Sequence, residues 1–300
     1  MASERLAART RPLATGRIIL NGHASATRPP RARPAAAFLA LILVSIAAYA
    51  DPWIPAAGDG SFEPSVRQYD ATSAFPPGAY GTSTAASSEE RYTMLRITGT
   101  HGIGHRLSIE YDLRAGRIQK IRVKHGRQIV NSATGVEDQE IGLNLGLRQR
   151  RHFADSIALN VVAPTGAVGT SPPLGVGQTA IEPDYQVGFA HGRFRASLEA
   201  GSRVFVDSGT AQMRVDVDTS FAIFHRVAIG ATLFYVRTVL LRKPLPLPDA
   251  GEQYDVLRPG LRVKYRATRR FKPYVEYERD LAGEAIHAGR RFTVGFTYEY

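Results

Sequence analysis

The chain closes on Arg291-Phe292-Thr293-Val294-Gly295-Phe296-Thr297-Tyr298-Glu299-Tyr300. Phe292, Val294, Phe296, Tyr298 and Tyr300 take every second position, and Arg291, Thr293, Gly295, Thr297 and Glu299 fill the places between. Successive side chains of an extended strand point to opposite faces, so this stretch reads as a strand with one wholly apolar face. The same period returns upstream. Met213, Val215, Val217 and Phe221 alternate with Arg214, Asp216, Asp218 and Ser220, and Ile141, Leu143, Leu145 and Leu147 with Glu140, Asn144 and Arg148. Leu257, Leu261, Val263 and Tyr265 likewise oppose Arg258, Arg262 and Lys264. These are two-faced strands whose polar side carries full charges.

Strands of this kind fall at 61–72, 89–100, 105–115, 137–149, 153–164, 178–190, 194–206, 211–224, 226–239, 253–266, 271–280 and 290–300. Many are 10 to 13 residues long, whereas a soluble sheet uses about 5 to 6 and a strand crossing lipid about 9 to 11. After residue 50 no apolar run is long enough for a helical span of roughly 20 residues. The expectation is all-β: a transmembrane antiparallel up-and-down β-barrel of about twelve strands. An even count puts both ends of the barrel on the periplasmic side. The connections alternate accordingly between short turns and longer Gly-, Pro- and Ser-rich loops at 73–88, 116–136, 165–177, 240–252 and 281–289, with a tight hairpin near Ser208-Gly209 as the exception. Arg117 to Lys124 fits either a further strand or an extension of the third; the even count favours the extension.

Ahead of the barrel, Arg28, Arg31 and Arg33 precede an uncharged run from Ala35 to Ala50 that ends in Ala48-Tyr49-Ala50 and leads into Asp51-Pro52. This is the basic, apolar and small-x-small order of a secretory signal, with cleavage expected after Ala50. Residues 1–50 are therefore read as an N-terminal extension and signal peptide, and 51–300 as the barrel. Of the 38 basic residues, seven precede Pro34, against the single acid Glu4. Removing residues 1–50 leaves 31 basic and 26 acidic groups, so the formal +11 falls to +5. That excess is spread through strands and turns, which argues against nucleic acid, since phosphate tracking requires a clustered basic face.

Cysteine is absent, so a thiolate metal site or redox pair is ruled out. The histidines scatter without metal-ligand spacing, the Gly58-Asp59-Gly60 and Gly175-Val176-Gly177 stretches lack the context of a phosphate loop, and no nucleophile sits in a recognisable motif. The reading therefore carries no catalytic residue, metal or cofactor. By strand parity the interior receives Glu182, Asp184, Arg195, Glu199, Arg203, Arg214, Asp216, Asp218, Arg258, Arg262, Glu276 and Glu278, with Glu110, Asp112, Glu140, Arg148, Lys272 and Arg291 beside them. In a narrow barrel such groups either pair with one another or line a wet path. Tyrosines near strand ends, among them Tyr92, Tyr185 and Tyr298, are expected in interfacial girdles where they face lipid, whereas Tyr274 shares the parity of the charged face.

The closing alternation of Phe292, Val294, Phe296, Tyr298 and Tyr300 resembles the C-terminal signal recognised by the bacterial barrel-assembly machinery. Trp53-Ile54-Pro55-Ala56-Ala57-Gly58-Asp59-Gly60-Ser61, Val162-Ala163-Pro164-Thr165-Gly166 and Leu174-Gly175-Val176-Gly177-Gln178-Thr179 resemble the outer-membrane family labelled the putative MetA-pathway of phenol degradation, or simply a transporter. That resemblance implies a twelve-stranded barrel in the outer membrane of a Gram-negative bacterium, a passive channel for small solutes, aromatic ones included. Its partners would be outer-membrane lipid and lipopolysaccharide, and the assembly machinery through the last strand. The alternative is a structural or surface-interaction barrel with a plugged interior, binding a partner through loops such as Pro244-Leu245-Pro246-Leu247-Pro248.

Overall fold

The computed structural model describes residues 52–78, 80–125, 127–240 and 255–300. The expected signal segment with Ala48, Ala50 and Asp51 lies outside the described residues, as do the 241–254 connection and its Pro244–Pro248 run.

Fourteen strand segments succeed one another along the described chain: β1 (Gly60–Phe75), β2 (Thr84–Gly102), β3 (Leu107–Lys124), β4 (Arg127–Val136), β5 (Gln139–Gln149), β6 (Phe153–Ala163), β7 (Ala180–His191), β8 (Phe194–Phe205), β9 (Ala211–Ala222), β10 (Val227–Leu240), β11 (Asp255–Tyr265), β12 (Phe271–Arg279), β13 (Ala282–Glu284) and β14 (Ile286–Glu299). Every pairing is antiparallel, and β1 bonds both β2 and β14, from Ser61 opposite Glu299 to Phe75 opposite Ile286, so the ladder closes on itself. β4 and β5 share one place in the ladder, both against β3, and β12 and β13 share another, both against β11. The result is a closed barrel of twelve strand positions.

Burial is inverted relative to a soluble domain, where large apolar side chains sit inside. Ile141, Leu143, Leu145, Ile157, Leu159, Leu261 and Val294 are exposed on the outer wall, Leu261 by 62%. The fully buried side chains include Gln186, Glu182, Glu276, Asn144, Asp155, Thr293 and Ser156. Such a wall is stable only against an apolar solvent, as in the lipid-facing band of a membrane barrel. In the last strand Phe292 and Val294 belong to this wall, while Phe296 and Tyr298 join Phe62 and Phe271 in a ring cluster with centroids 4.9 to 6.2 Å apart. That cluster forms part of an aromatic girdle at the end where the short turns lie.

The structure differs from the sequence-based expectation at several places. Arg117 to Lys124 extends β3, as expected, but the rest of the 116–136 stretch is not a loop: the chain returns as β4, with His125 at positive φ in the turn between them. β4 is exposed along most of its length on both faces, so it carries no alternation to read. The 281–289 loop is in fact β13 and the start of β14, separated by Ala285 at positive φ. Finally, a β-bulge between Gly146 and Arg148 flips parity, because one extra residue exchanges inside and outside for the rest of the strand. Arg148 therefore stands on the outer face near the turn end, its side chain 60% exposed, pairing with Asp155, which also accepts a 2.8 Å bond from Tyr185 Oη.

The apolar wall predicts a depth-dependent penalty. Leu261→Arg, near the middle of β11, should lower folding stability in lipid vesicles by about 2–4 kcal/mol, against about 0–1 kcal/mol for Leu281→Arg near the rim. Denaturant titration of the vesicle-folded proteins measures both.

Candidate functional site

Because side chains from all twelve positions converge on a narrow interior, buried charges there need partners, and most find one on another strand. Arg96 on β2 donates two bonds to Asp112 on β3, at 2.9 and 2.7 Å, and Arg114 binds the same carboxylate. Arg203 on β8 donates to Glu140 on β5 at 2.6 Å and to Glu182 on β7 at 2.5 Å, and Arg214 on β9 takes the other Glu182 oxygen. A belt of alternating charge thus runs over half the wall. Beside it, Asn144 donates to Glu110 and Gln186, Ser156 donates to Gln186, and Gln186 donates to Glu199. Asn160 donates to Asp184.

The other half carries a second network. Arg262 on β11 bonds Asp218 on β9 and Glu276 on β12, both at 3.0 Å, and its guanidinium lies 4.9 Å from the centroid of the buried Tyr274 ring. Arg258 bonds Asp280 at 2.6 Å with both side chains almost fully buried, and Asp280 also accepts from Tyr69 and from the Gly289 amide. The two networks meet at Phe234 on β10, whose ring lies 5.7 Å from Arg214 and 5.2 Å from Arg258. Glu278 is buried near Arg258 and Arg291, and Asp216 stands 3.8 Å from Arg214.

The interior also holds groups that the parity reading left out. Tyr69 is buried under Arg291, and Tyr92, expected in a girdle, lines the cavity instead. His287, in a stretch expected to be an external loop, sits in β14 and lies 3.2 Å from Glu90. Among the described residues one trio of carboxylates, Glu182, Asp184 and Glu199, converges within 4.8 Å, as a metal site would require. Both oxygens of Glu182 are taken by arginines, which makes it a salt-bridge acceptor.

The two ends of the interior differ. At the loop end the β6–β7 connection folds into the mouth. Asp138 accepts the backbone amides of Gly166 and Val176, at 3.0 and 2.7 Å, and Val176 packs on the buried Val162, Ala180 and Phe205. A cavity of about 910 Å³ runs from the turn end, at Arg193, Arg226 and Arg266, up to Glu137 and Ile286 near the loop end, lined by fourteen lysines and arginines and ten acids. Across the turn end lies the segment preceding β1. Pro52 is fully buried, its carbonyl accepts from Gln149 Nε2, the Ile54 amide donates to Gln149, and Trp53 Nε1 donates to the Arg150 carbonyl at 3.0 Å. A methyl group at Gly188 would collide with the rings of Pro52 and Trp53, and one at Gly146 with Ile54, so glycine at these two inward positions makes the seat. In the sequence this strap carries a family likeness and no sign of a structural role.

No family model matches the chain, and no curated protein matches it. Among solved structures it is similar to an outer membrane channel from Pseudomonas putida F1, at 14% identity and a TM-score of 0.64, with 85% of this chain and 100% of that one covered. It is also similar to the NanC porin, at 8% identity and a TM-score of 0.50, with 79% of this chain and 100% of that one covered. At these identities the likeness establishes the fold, a twelve-position barrel of the outer-membrane type.

Removing one partner from a buried charge cluster leaves the others uncompensated, at a cost of about 3–5 kcal/mol. Glu182→Ala, which strips both Arg203 and Arg214, should destabilise the barrel by that amount. Glu299→Ala, at a half-exposed pair with Lys272, should cost less than about 1 kcal/mol. Denaturant midpoints of the two variants test the contrast.

Proposed function

We propose that the chain is an outer-membrane channel of a Gram-negative bacterium that passes small solutes by diffusion through its charged interior. The observation that carries this reading is a polar cavity of about 910 Å³ inside a closed barrel whose outer wall is apolar. The two barrels it resembles are an outer membrane channel and a porin, which supports the reading. The interior networks fix charges on rigid strands, so a solute crossing the barrel meets an ordered field. Residues 1–50 act as the signal peptide cleaved after Ala50, and Phe292, Val294, Phe296, Tyr298 and Tyr300 present the last strand to the assembly machinery. The likeness of Trp53–Ser61 to the phenol-degradation family puts aromatic solutes in the first screen.

The rival reading is a filled barrel. Its support is the loop end, where Tyr69, Val236, Val256, Arg258 and Asp280 are buried and the clasped β6–β7 connection enters the mouth. Single-channel recording in a planar bilayer separates the two. The channel reading expects discrete current steps that grow when Asp138→Ala releases the Gly166 and Val176 amides. Silence from both proteins, with the barrel verified as folded, would overturn it.

A further inference from the structure

The five turns at the end opposite the long loops, 103–106, 150–152, 192–193, 223–226 and 266–270, hold no acid, yet together they carry eight arginines and three histidines. Four arginines at this end, Arg193, Arg195, Arg226 and Arg266, line the cavity itself. They equal in number its excess of fourteen basic over ten acidic groups.

Arg195, Arg226 and Arg266 have no acidic partner among the described residues, and all three are exposed. They come from consecutive parts of the wall. The Ala222 amide bonds the Arg193 carbonyl at 2.9 Å, and the Arg266 amide bonds the Arg226 carbonyl at 2.7 Å, which ties the β8, β9–β10 and β11 ends side by side. Neighbouring backbones in a sheet lie about 4.8 Å apart, so neighbouring cations here stand on the scale of one Debye length, about 8 Å at physiological salt. Like charges held this close in a concave site raise the local concentration of anions. Trp53 shares a surface recess with Arg195 and also lines the cavity.

We propose that this turn-end vestibule is a capture site for small organic anions, carboxylates above all, drawn by Arg195 beside the Trp53 ring and by Arg226 and Arg266 farther along the same rim. The inference deepens the channel reading by naming its solute class, and it rests on that reading only for the direction of transport. Under that reading the vestibule faces the periplasm. An anion that has crossed the barrel is gathered there before release, and a bath anion on that side lowers the field of the same arginines.

Trp53 is the sole tryptophan, so its fluorescence reports the vestibule directly. The experiment titrates the detergent-purified protein with 4-nitrobenzoate, an anionic quencher, and with neutral 4-nitrobenzyl alcohol of similar size. The expected result is saturable quenching by the carboxylate at a concentration about fivefold to tenfold lower than by the alcohol, with the gap closing in high salt. The Arg226→Gln/Arg266→Gln variant, changed only at exposed turn positions, should lose most of the gap while keeping its fold. Equal quenching by the two compounds, or a gap unchanged in the variant, would overturn the proposal. Since binding is read without current, a silent bilayer with selective quenching would sink the channel and leave the capture site standing. A conducting barrel with no selectivity between the quenchers would do the reverse.

Discussion

The hydrogen bonds between β1 and β14 close the sheet, and the rest of the molecule answers to that closure. A closed sheet leaves no backbone donor or acceptor at an edge, which is what allows it to sit in a solvent that offers neither. It also divides every strand into a side that meets hydrocarbon and a side that meets the other strands across a narrow interior. The outward side can be uniformly apolar at no cost in specificity. The inward side cannot be uniformly anything, since charges drawn from different strands must match across the ladder. The belt from Arg96 through Asp112, Glu140, Arg203 and Glu182 to Arg214 is the outcome, and its register depends on each strand keeping its place relative to the next.

The same constraint explains why the interior is not one uniform bore. The networks narrow the section at mid-height, and at the loop end Asp138 holds the β6–β7 connection against the buried Val162, Ala180 and Phe205. Toward the turns the inward positions shrink to Gly146 and Gly188, where the strap enters. Charge tracks the strands as well: it is paired in the two networks, whereas the five turns carry arginines and no acid.

Alternation makes the wall legible from sequence, because period two survives wherever one face meets lipid. The closing strand, β9 and β11 can be read residue by residue, and with them the inward set from Glu182 to Glu278. The features that escape have physical reasons. The bulge after Gly146 reverses Arg148 without leaving a mark in composition. β4 stands above the apolar band with both faces exposed and so has no period to show. Tyr92 looks like a girdle residue, and only the ladder register turns it inward, toward Glu137, as it turns Tyr69 onto Asp280. The strap is invisible for another reason. Its partners Gln149 and Arg150 lie about a hundred residues away and belong to no motif.

The strap also bears on the order in which the molecule can assemble. Pro52 to Ile54 precede every described strand in the chain, yet their seat is built by β5 and β7, with Gln149 and Arg150 fastening them. Those contacts cannot form before that wall exists. The segment that comes first therefore has to wait for the middle of the barrel, and its docking marks completion. Trp53 is thus a built-in indicator of the finished state, dark to the early strands and fixed only when β7 stands beside β5 and β6.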